Sequence, residues 1–128
     1  MVEQVSEVLK KIQERCAENA SEFLPGIEEA LEKLDKVEDT EEMAQVFKAL
    51  SNQTKLEIVF LLAASDFPVC ILSNLLEKDQ SLISHHLSDL KAAGIVKGKV
   101  KGKFRIYSLR KDKLVDMLKK MIEIVGEG

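Results

Sequence analysis

The stretch Asp79–Tyr107, DQSLISHHLSDLKAAGIVKGKVKGKFRIY, decides the fold. Its first half has helical periodicity: at about 3.6 residues per turn, Ile83, His86, Leu87 and Leu90 fall on one side, and Ser81, Ser84, His85 and Ser88 on the other. The first face packs against a core, and the second is polar enough to enter a DNA groove and hydrogen-bond to base edges. Asp79 is placed to cap the helix, its side-chain oxygen accepting from a free amide of the first turn, and Gly94 supplies the left-handed residue that stops it. The helix is therefore predicted over Gln80 to Ala93.

Immediately upstream, Cys70 to Glu77 (CILSNLLE) carries Ile71, Leu72, Leu75 and Leu76 at helical spacing, and Lys78 and Asp79 leave room only for a tight turn. Two helices joined so closely form a helix-turn-helix. After Gly94 the period changes to that of an extended chain. Val96, Val100, Phe104 and Ile106 are assigned to one face of a hairpin, and Lys97, Lys99, Lys101, Lys103, Arg105 and Tyr107 to the other, with Gly102 at the turn. From Lys97 to Lys111 there are seven basic residues and no acidic one, as suits a ribbon lying along phosphates.

Further out, apolar residues mark four helices on the N-terminal side. Val5, Val8, Leu9, Ile12 and Cys16 form the stripe of an amphipathic helix from Val2 to about Ala20, and Ile27, Ala30, Leu31, Leu34 and Val37 mark a second, with Pro25 near its start. Thr40 is the expected N-cap of the next, which places Met43, Val46, Phe47 and Leu50 inward. Ser51 or Asn52 caps a fourth helix containing Leu56, Ile58, Val59, Leu61 and Leu62, and Asp66 to Val69 is read as a break, because Pro68 disfavours helix in the residue before it. A final helix begins at Lys111 or Asp112, with Leu114, Val115, Leu118, Met121, Ile122 and Val125 as a broad apolar stripe.

The fold class expected is mainly α with a small β-hairpin. Residues 1–39 are read as an N-terminal helical extension for packing and dimerisation, and 40–128 as the helix-turn-helix domain with its C-terminal helix. The surplus apolar surface at both ends calls for a two-fold dimer, which would set two recognition helices about one DNA turn apart on a pseudo-palindromic operator.

Charge supports that polarity. The net charge is −3, but residues 1–50 hold 13 acidic and 6 basic residues, a net of −7, while residues 51–128 hold 13 basic and 9 acidic, a net of +4. The basic part faces a polyanion, and the acidic part keeps the molecule soluble. No apolar run approaches a membrane span and MVEQVSEVLKK lacks the apolar core of a signal peptide, so a cytoplasmic protein without a membrane partner is expected. There is no Ser-His-Asp or Cys-His set with supporting context, no phosphate-binding glycine loop and no HExxH, which argues against an enzyme and gives no cofactor.

Three segments resemble the ArsR/SmtB family of winged-helix repressors: FKALSNQTKLEIVFLL (Phe47–Leu62), DQSLISHHLSDLKAAGIV (Asp79–Val96) and KGKFRIYSL (Lys101–Leu109). The middle one is the most specific, since SHHL followed by L, AG and an apolar pair is close to that family's recognition-helix signature. The resemblance runs from about Glu41 to Met121 and implies a winged helix-turn-helix repressor of transcription with double-stranded DNA as its partner. It implies groove-reading roles for Gln80, Ser81, Ser84 and His85, to which the polar face adds Ser88. Lys99, Lys101, Lys103 and Arg105 would face phosphates, with Gly102 at the wing tip. Gln53 stands where many relatives have Pro, and Lys55 where they have Arg.

The family's sensor sites match poorly. Its Cys-x-Cys pair is replaced by Pro68 and Cys70, and Lys111–Gly128 contains no His for a terminal-helix metal site. Adjacent helical residues diverge by about 100°, so His85 and His86 are not read as one metal site either. Cys16 and Cys70 have two readings: buried small apolar side chains, or a thiol redox or soft-metal switch on the same repressor scaffold. A rival for the whole domain is a winged-helix protein-interaction module whose lysines only solubilise an edge.

Overall fold

The computed structural model describes residues 2–16 and 18–126, with side-chain environments for 6–16 and 21–126. It divides into two compact units, Met1–Glu38 with Gly126–Gly128, and Asp39–Val125.

In the first unit, helix α1 (Val2–Arg15) packs against a 3₁₀ helix (Glu18–Phe23) and against α2 (Leu24–Asp35). The sequence led us to expect one helix as far as Ala20, but α1 stops at Arg15. Ala17 and the side chains of Val5 and Ala20, all within that expected helix, lie outside the described residues. Pro25 occupies the first turn of α2, where its missing amide costs nothing. No residue of α2 is buried within the chain, and Phe23 and Leu34 are exposed.

The second unit runs α3 (Thr40–Leu50), α4 (Gln53–Ala64), β1 (Phe67–Pro68), α5 (Val69–Leu76), α6 (Gln80–Ala92), β2 (Val96–Lys101), β3 (Phe104–Leu109) and α7 (Lys111–Gly126). The cap of α3 is Asp39, one residue before the expected Thr40; its Oδ1 accepts from the Glu42 amide at 3.0 Å. Asn52 caps α4 in the same way, with Oδ1 3.0 Å from the Lys55 amide. One core gathers Val46 and Ala49 from α3, Ile58, Val59 and Leu62 from α4, Leu72 from α5, Ile83, Leu87 and Leu90 from α6, and Ile95 and Val96 beyond it. Leu56, Ile71 and Leu75, which helical spacing had grouped with such residues, are exposed instead.

Two left-handed residues frame the helix-turn-helix. Glu77, φ +52°, ends α5: its amide donates to the Asn74 carbonyl, and the Lys78 amide to that of Ser73. Gly94, φ +76°, ends α6 with the same pattern, its amide reaching Lys91 and that of Ile95 reaching Leu90. The side-chain hydroxyl of Ser73 also donates to the Lys78 carbonyl, tying the turn to α5.

The strands form an antiparallel sheet in the order β1-β3-β2. The short β1 replaces the break expected around Pro68; it pairs Phe67 with Tyr107 and Pro68 with Ile106 at the sheet edge, where a residue without an amide hydrogen is tolerated. Gly102 (φ +61°) and Lys103 form the two-residue turn between β2 and β3, so Lys101 stands opposite Phe104 and Val100 opposite Arg105.

That register corrects the expected division of the hairpin. Residues directly opposite each other share a face. Val96, Gly98 and Val100 therefore lie with Leu109, Tyr107 and Arg105, whereas Lys97, Lys99 and Lys101 lie with Ser108, Ile106 and Phe104. Tyr107 and Leu109 pack against the core, and a Cβ built on Gly98 would meet both the Tyr107 ring and the Arg105 side chain. Arg105 and Tyr107 thus leave the lysine face, and Phe104 and Ile106 join it.

Candidate nucleic-acid interface

Helix α6 is held by one face and open on the other. Ile83, Leu87 and Leu90 are fully buried and His86 nearly so, while Gln80, Ser81, Ser84, His85 and Ser88 are all exposed, the His85 side chain at 74 %. The division of the helix into a packing face and an open polar face therefore matches the sequence reading. Asp79 precedes the helix as expected but makes no side-chain cap; its Oδ2 instead accepts from the Ser81 hydroxyl at 2.7 Å. With its proton so engaged, Ser81 offers only acceptor capacity outward.

A charged chain of contacts steadies the middle of this face. Lys55, at the start of α4, reaches Asp89 of α6 with Nζ 3.0 Å from Oδ2, and the same oxygen lies 3.8 Å from His85 Nε2. The hydrogen bond from Lys55 holds the Asp89 carboxyl below its ordinary range. Asp89 is thus an anchored anion one turn beyond His85. The sequence reading did not single out Asp89; its four-residue spacing from His85 on α6 is a signal that could have found that contact, whereas nothing local in the sequence announces the contribution of Lys55 from another helix.

The two histidines are separated as expected, His86 facing inward and His85 outward, with ring centroids 6.4 Å apart. His86 Nδ1 is buried without a hydrogen-bond partner among the described residues. Burial foremost, then the charge of Lys55, pushes the His86 pKa below its ordinary value; His85 acts in the same direction and Asp89 opposes it. As pH falls through about 6.5, the unfolded chain protonates this imidazole before the folded domain does. The stability attached to neutral His86 is therefore complete above that pH and declines below it. Urea midpoints should fall between about pH 7.5 and 5.5, and His86→Leu should flatten the decline; parallel pH profiles would assign it elsewhere. The Asp89–Lys55 pair acts in a separate window, losing its contribution only as pH drops below about 4.

Beside α6, the hairpin exposes Lys99, Lys101, Gly102, Lys103 and Arg105. Arg105 reaches solvent from the face opposite Lys99 and Lys101, so cations border both sides of the ribbon. Lys113 Nζ lies 2.8 Å from Glu42 Oε1, joining α7 to α3.

Cys16 and Cys70 are both free and exposed, which corrects the reading of them as buried apolar side chains. Cys70 Sγ lies 3.7 Å from Asn74 Nδ2 on the next turn of α5. No group of three or more His, Cys, Asp or Glu able to hold a metal occurs among the described residues. No described helix is long and apolar enough to cross a membrane.

Residues 52–97, from the cap of α4 to the start of β2, match the model of the bacterial regulatory protein, arsR family. The chain is 38% identical over 89 residues to an uncharacterised HTH-type transcriptional regulator of Methanocaldococcus jannaschii, an alignment covering 69% of this chain and 100% of that one. It is 34% identical over 86 residues to the transcriptional repressor SdpR of Bacillus subtilis, covering 67% and 96%. Among solved structures, it resembles the homodimeric winged helix-turn-helix DNA-binding domain of a possible ArsR-family regulator from Mycobacterium bovis. That match has a TM-score of 0.57 and 26% identity, and covers 66% of this chain and 78% of the other.

Proposed function

Because the chain belongs to the arsR family of bacterial regulatory proteins, we propose that it is a homodimeric repressor of transcription that reads a pseudo-palindromic operator. One observation carries this reading: the outward face of α6 is polar and exposed, and it adjoins a hairpin that holds five cations, Lys97, Lys99, Lys101, Lys103 and Arg105, and no acidic residue. Helix α6 enters the major groove, where Gln80, Ser84, His85 and Ser88 present donors and acceptors to base edges and Ser81 presents acceptor capacity. Lys99, Lys101, Lys103 and Arg105 hold the flanking phosphates, setting register without reading sequence.

The dimer rests on α7. Its inner residues Leu114 and Met117 pack on the core, whereas Val115, Leu118, Ile122 and Val125 form an exposed stripe along another face, Ile122 and Val125 at 70% and 73%. A second copy covers this stripe with its own, since a two-fold interface brings the same patch of both subunits together, and the solved Mycobacterium bovis domain is homodimeric. Two α6 helices then meet successive major grooves on one side of the duplex.

Salt dependence tests the division of labour. Each phosphate contact contributes about 0.9 to the slope of log affinity against log salt, so Lys101→Gln with Lys103→Gln should reduce that slope by about 2 per protomer. Fluorescence anisotropy with a labelled duplex at several salt concentrations measures it, and an unchanged slope would remove these lysines from the phosphate contacts.

A further inference from the structure

We propose that the root of the hairpin, where β2 begins, β3 ends and α7 starts, binds a small phosphate-bearing anion through Lys97, Arg110, Lys111 and Lys113. These residues, with Leu109 and Asp112, line an open cavity of about 420 Å³. Separate elements bring the cations there: Lys97 stands on β2, Arg110 follows β3, and Lys111 and Lys113 lie in the first turn of α7. The backbone fixes their place, because the Arg110 amide donates to the Ile95 carbonyl at 2.8 Å and the Leu114 amide to the Arg110 carbonyl at 3.2 Å. Among the described residues Lys97, Arg110 and Lys111 pair with no acid, whereas Lys113 Nζ lies 2.8 Å from Glu42 Oε1. Four cations against Asp112, with Glu42 drawing on Lys113, leave a surplus charge of two. Like charges gathered around one cavity repel each other, and an anion seated among them relieves that repulsion.

The chemistry of the lining selects the ligand. A phosphate monoester carries about −1.5 to −2 charges at pH 7 and three strong acceptor oxygens, which matches that surplus. A guanidinium offers parallel N–H donors to two phosphate oxygens, the part open to Arg110, and the lysine ammonium groups add point charges around them. The cavity has room for the phosphate and a small organic body, with Leu109 as its apolar lining. Distance separates this site from the cations assigned to DNA. Lys97 lies four residues from Lys101 along β2, about 13 Å at roughly 3.3 Å per residue, and pairs with Ser108 at the end of the ribbon away from Gly102. Arg110 and Lys113 approach Gly94, which lies past the end of α6 and about 9 Å along its axis from Ser88. A duplex held by the hairpin tip and the reading face of α6 therefore leaves the root of the hairpin to a separate anion. That anion competes with Glu42 for Lys113, and so acts on the contact that joins α7 to α3.

The full chain, without DNA, is titrated with inorganic phosphate and with glycerol 3-phosphate at constant ionic strength, acetate serving as the monovalent control. Calorimetry and amide NMR shifts follow the binding. Both phosphates are expected to saturate with a Kd of about 1 mM or tighter, with shifts centred on Lys97 and on Arg110 to Lys113, and acetate is not. Tighter binding of glycerol 3-phosphate would identify a phosphorylated small molecule as the source, and equal or tighter binding of inorganic phosphate the free ion; either ranking supports the site. Lys97→Gln with Arg110→Gln should weaken binding roughly tenfold or more, whereas Lys101→Gln with Lys103→Gln at the hairpin tip should leave it unchanged. Glu42→Gln releases Lys113 and should tighten binding about threefold, while Glu41→Gln, with the same change in net charge, should not. Thermal unfolding of each variant is the control for the fold. Equal losses from the root and tip pairs would mean that phosphate reads only diffuse charge and would overturn the site, as would binding that never saturates or equal effects at Glu41 and Glu42. A smaller salt slope of duplex binding in the Lys97→Gln/Arg110→Gln protein would give these cations to DNA and also overturn it. Since the titration contains no duplex, failure of the operator reading leaves the site standing.

Discussion

A Ser84→Ala/His85→Ala protein is expected to keep its fold and lose its ability to tell its operator from random duplex. Both side chains project from the exposed face of α6, opposite the buried Ile83, Leu87 and Leu90, so their removal takes nothing from the core. A good base-edge contact discriminates by about 1–3 kcal/mol, and the double variant removes two from each half-site. Discrimination should therefore fall by roughly a hundredfold or more, while non-specific binding through the wing cations persists. Anisotropy titrations against operator and scrambled duplex measure the ratio. An unchanged ratio would mean that this face of α6 does not read bases, and would favour a winged-helix module that meets a protein.

The largest effect on stability is expected at Leu87, on the opposite side of the same helix. Its side chain is fully buried at the centre of a core shared by α3, α4, α5 and α6. Truncation to alanine removes the transfer free energy of the lost carbons and leaves a cavity, a combined cost of about 3–5 kcal/mol. Against a total stability of about 5–15 kcal/mol for a domain of this kind, that is a large fraction. Because α6 owes its position to this contact, operator binding should fail at temperatures where the wild type still binds. Leu82→Ala, on the same helix but 41% exposed, provides the comparison and should cost about 1 kcal/mol or less. Urea unfolding of the two variants separates the cases, and similar midpoints would contradict the assignment of faces.

The two sides of α6 were legible because a helix repeats its faces every three to four residues. The pattern of Ile83, His86, Leu87 and Leu90 against Ser81, Ser84, His85 and Ser88 needs no knowledge of the rest of the chain. Gly94 was equally plain, since few other residues tolerate its φ of +76°. The hairpin was legible as an element but not in its faces. Alternation carried straight through Gly102 groups Phe104 with Val100, but a two-residue turn places residue 101 opposite residue 104, and odd positions on β2 then share a face with even positions on β3. One turn residue more or fewer would reverse the result, and no local pattern fixes that number.

Contacts between distant segments were less legible still. Strand β1 is two residues long and exists only because β3 pairs with it, so Phe67 and Pro68 carry no strand signal of their own. The Lys55–Asp89 bridge joins residues far apart in sequence, and charge patterning along α6 shows only the His85 side of it. Cys16 and Cys70 illustrate a third limit. Cysteine is found buried often enough to suggest that environment, yet Cys70 sits on the exposed side of a short helix whose single fully buried apolar residue is Leu72.

The central claim is that two copies of α6 read DNA together. Selection of bound duplexes from a randomised library by the wild-type protein, followed by sequencing, tests it most directly. The enriched sites should contain two inverted half-sites with centres about 10–10.5 base pairs apart, or a multiple of that spacing, matching a two-fold protein on one side of the helix. A library that emerges as random as it entered would contradict sequence-specific reading, and enrichment of single, unpaired half-sites would contradict the dimer.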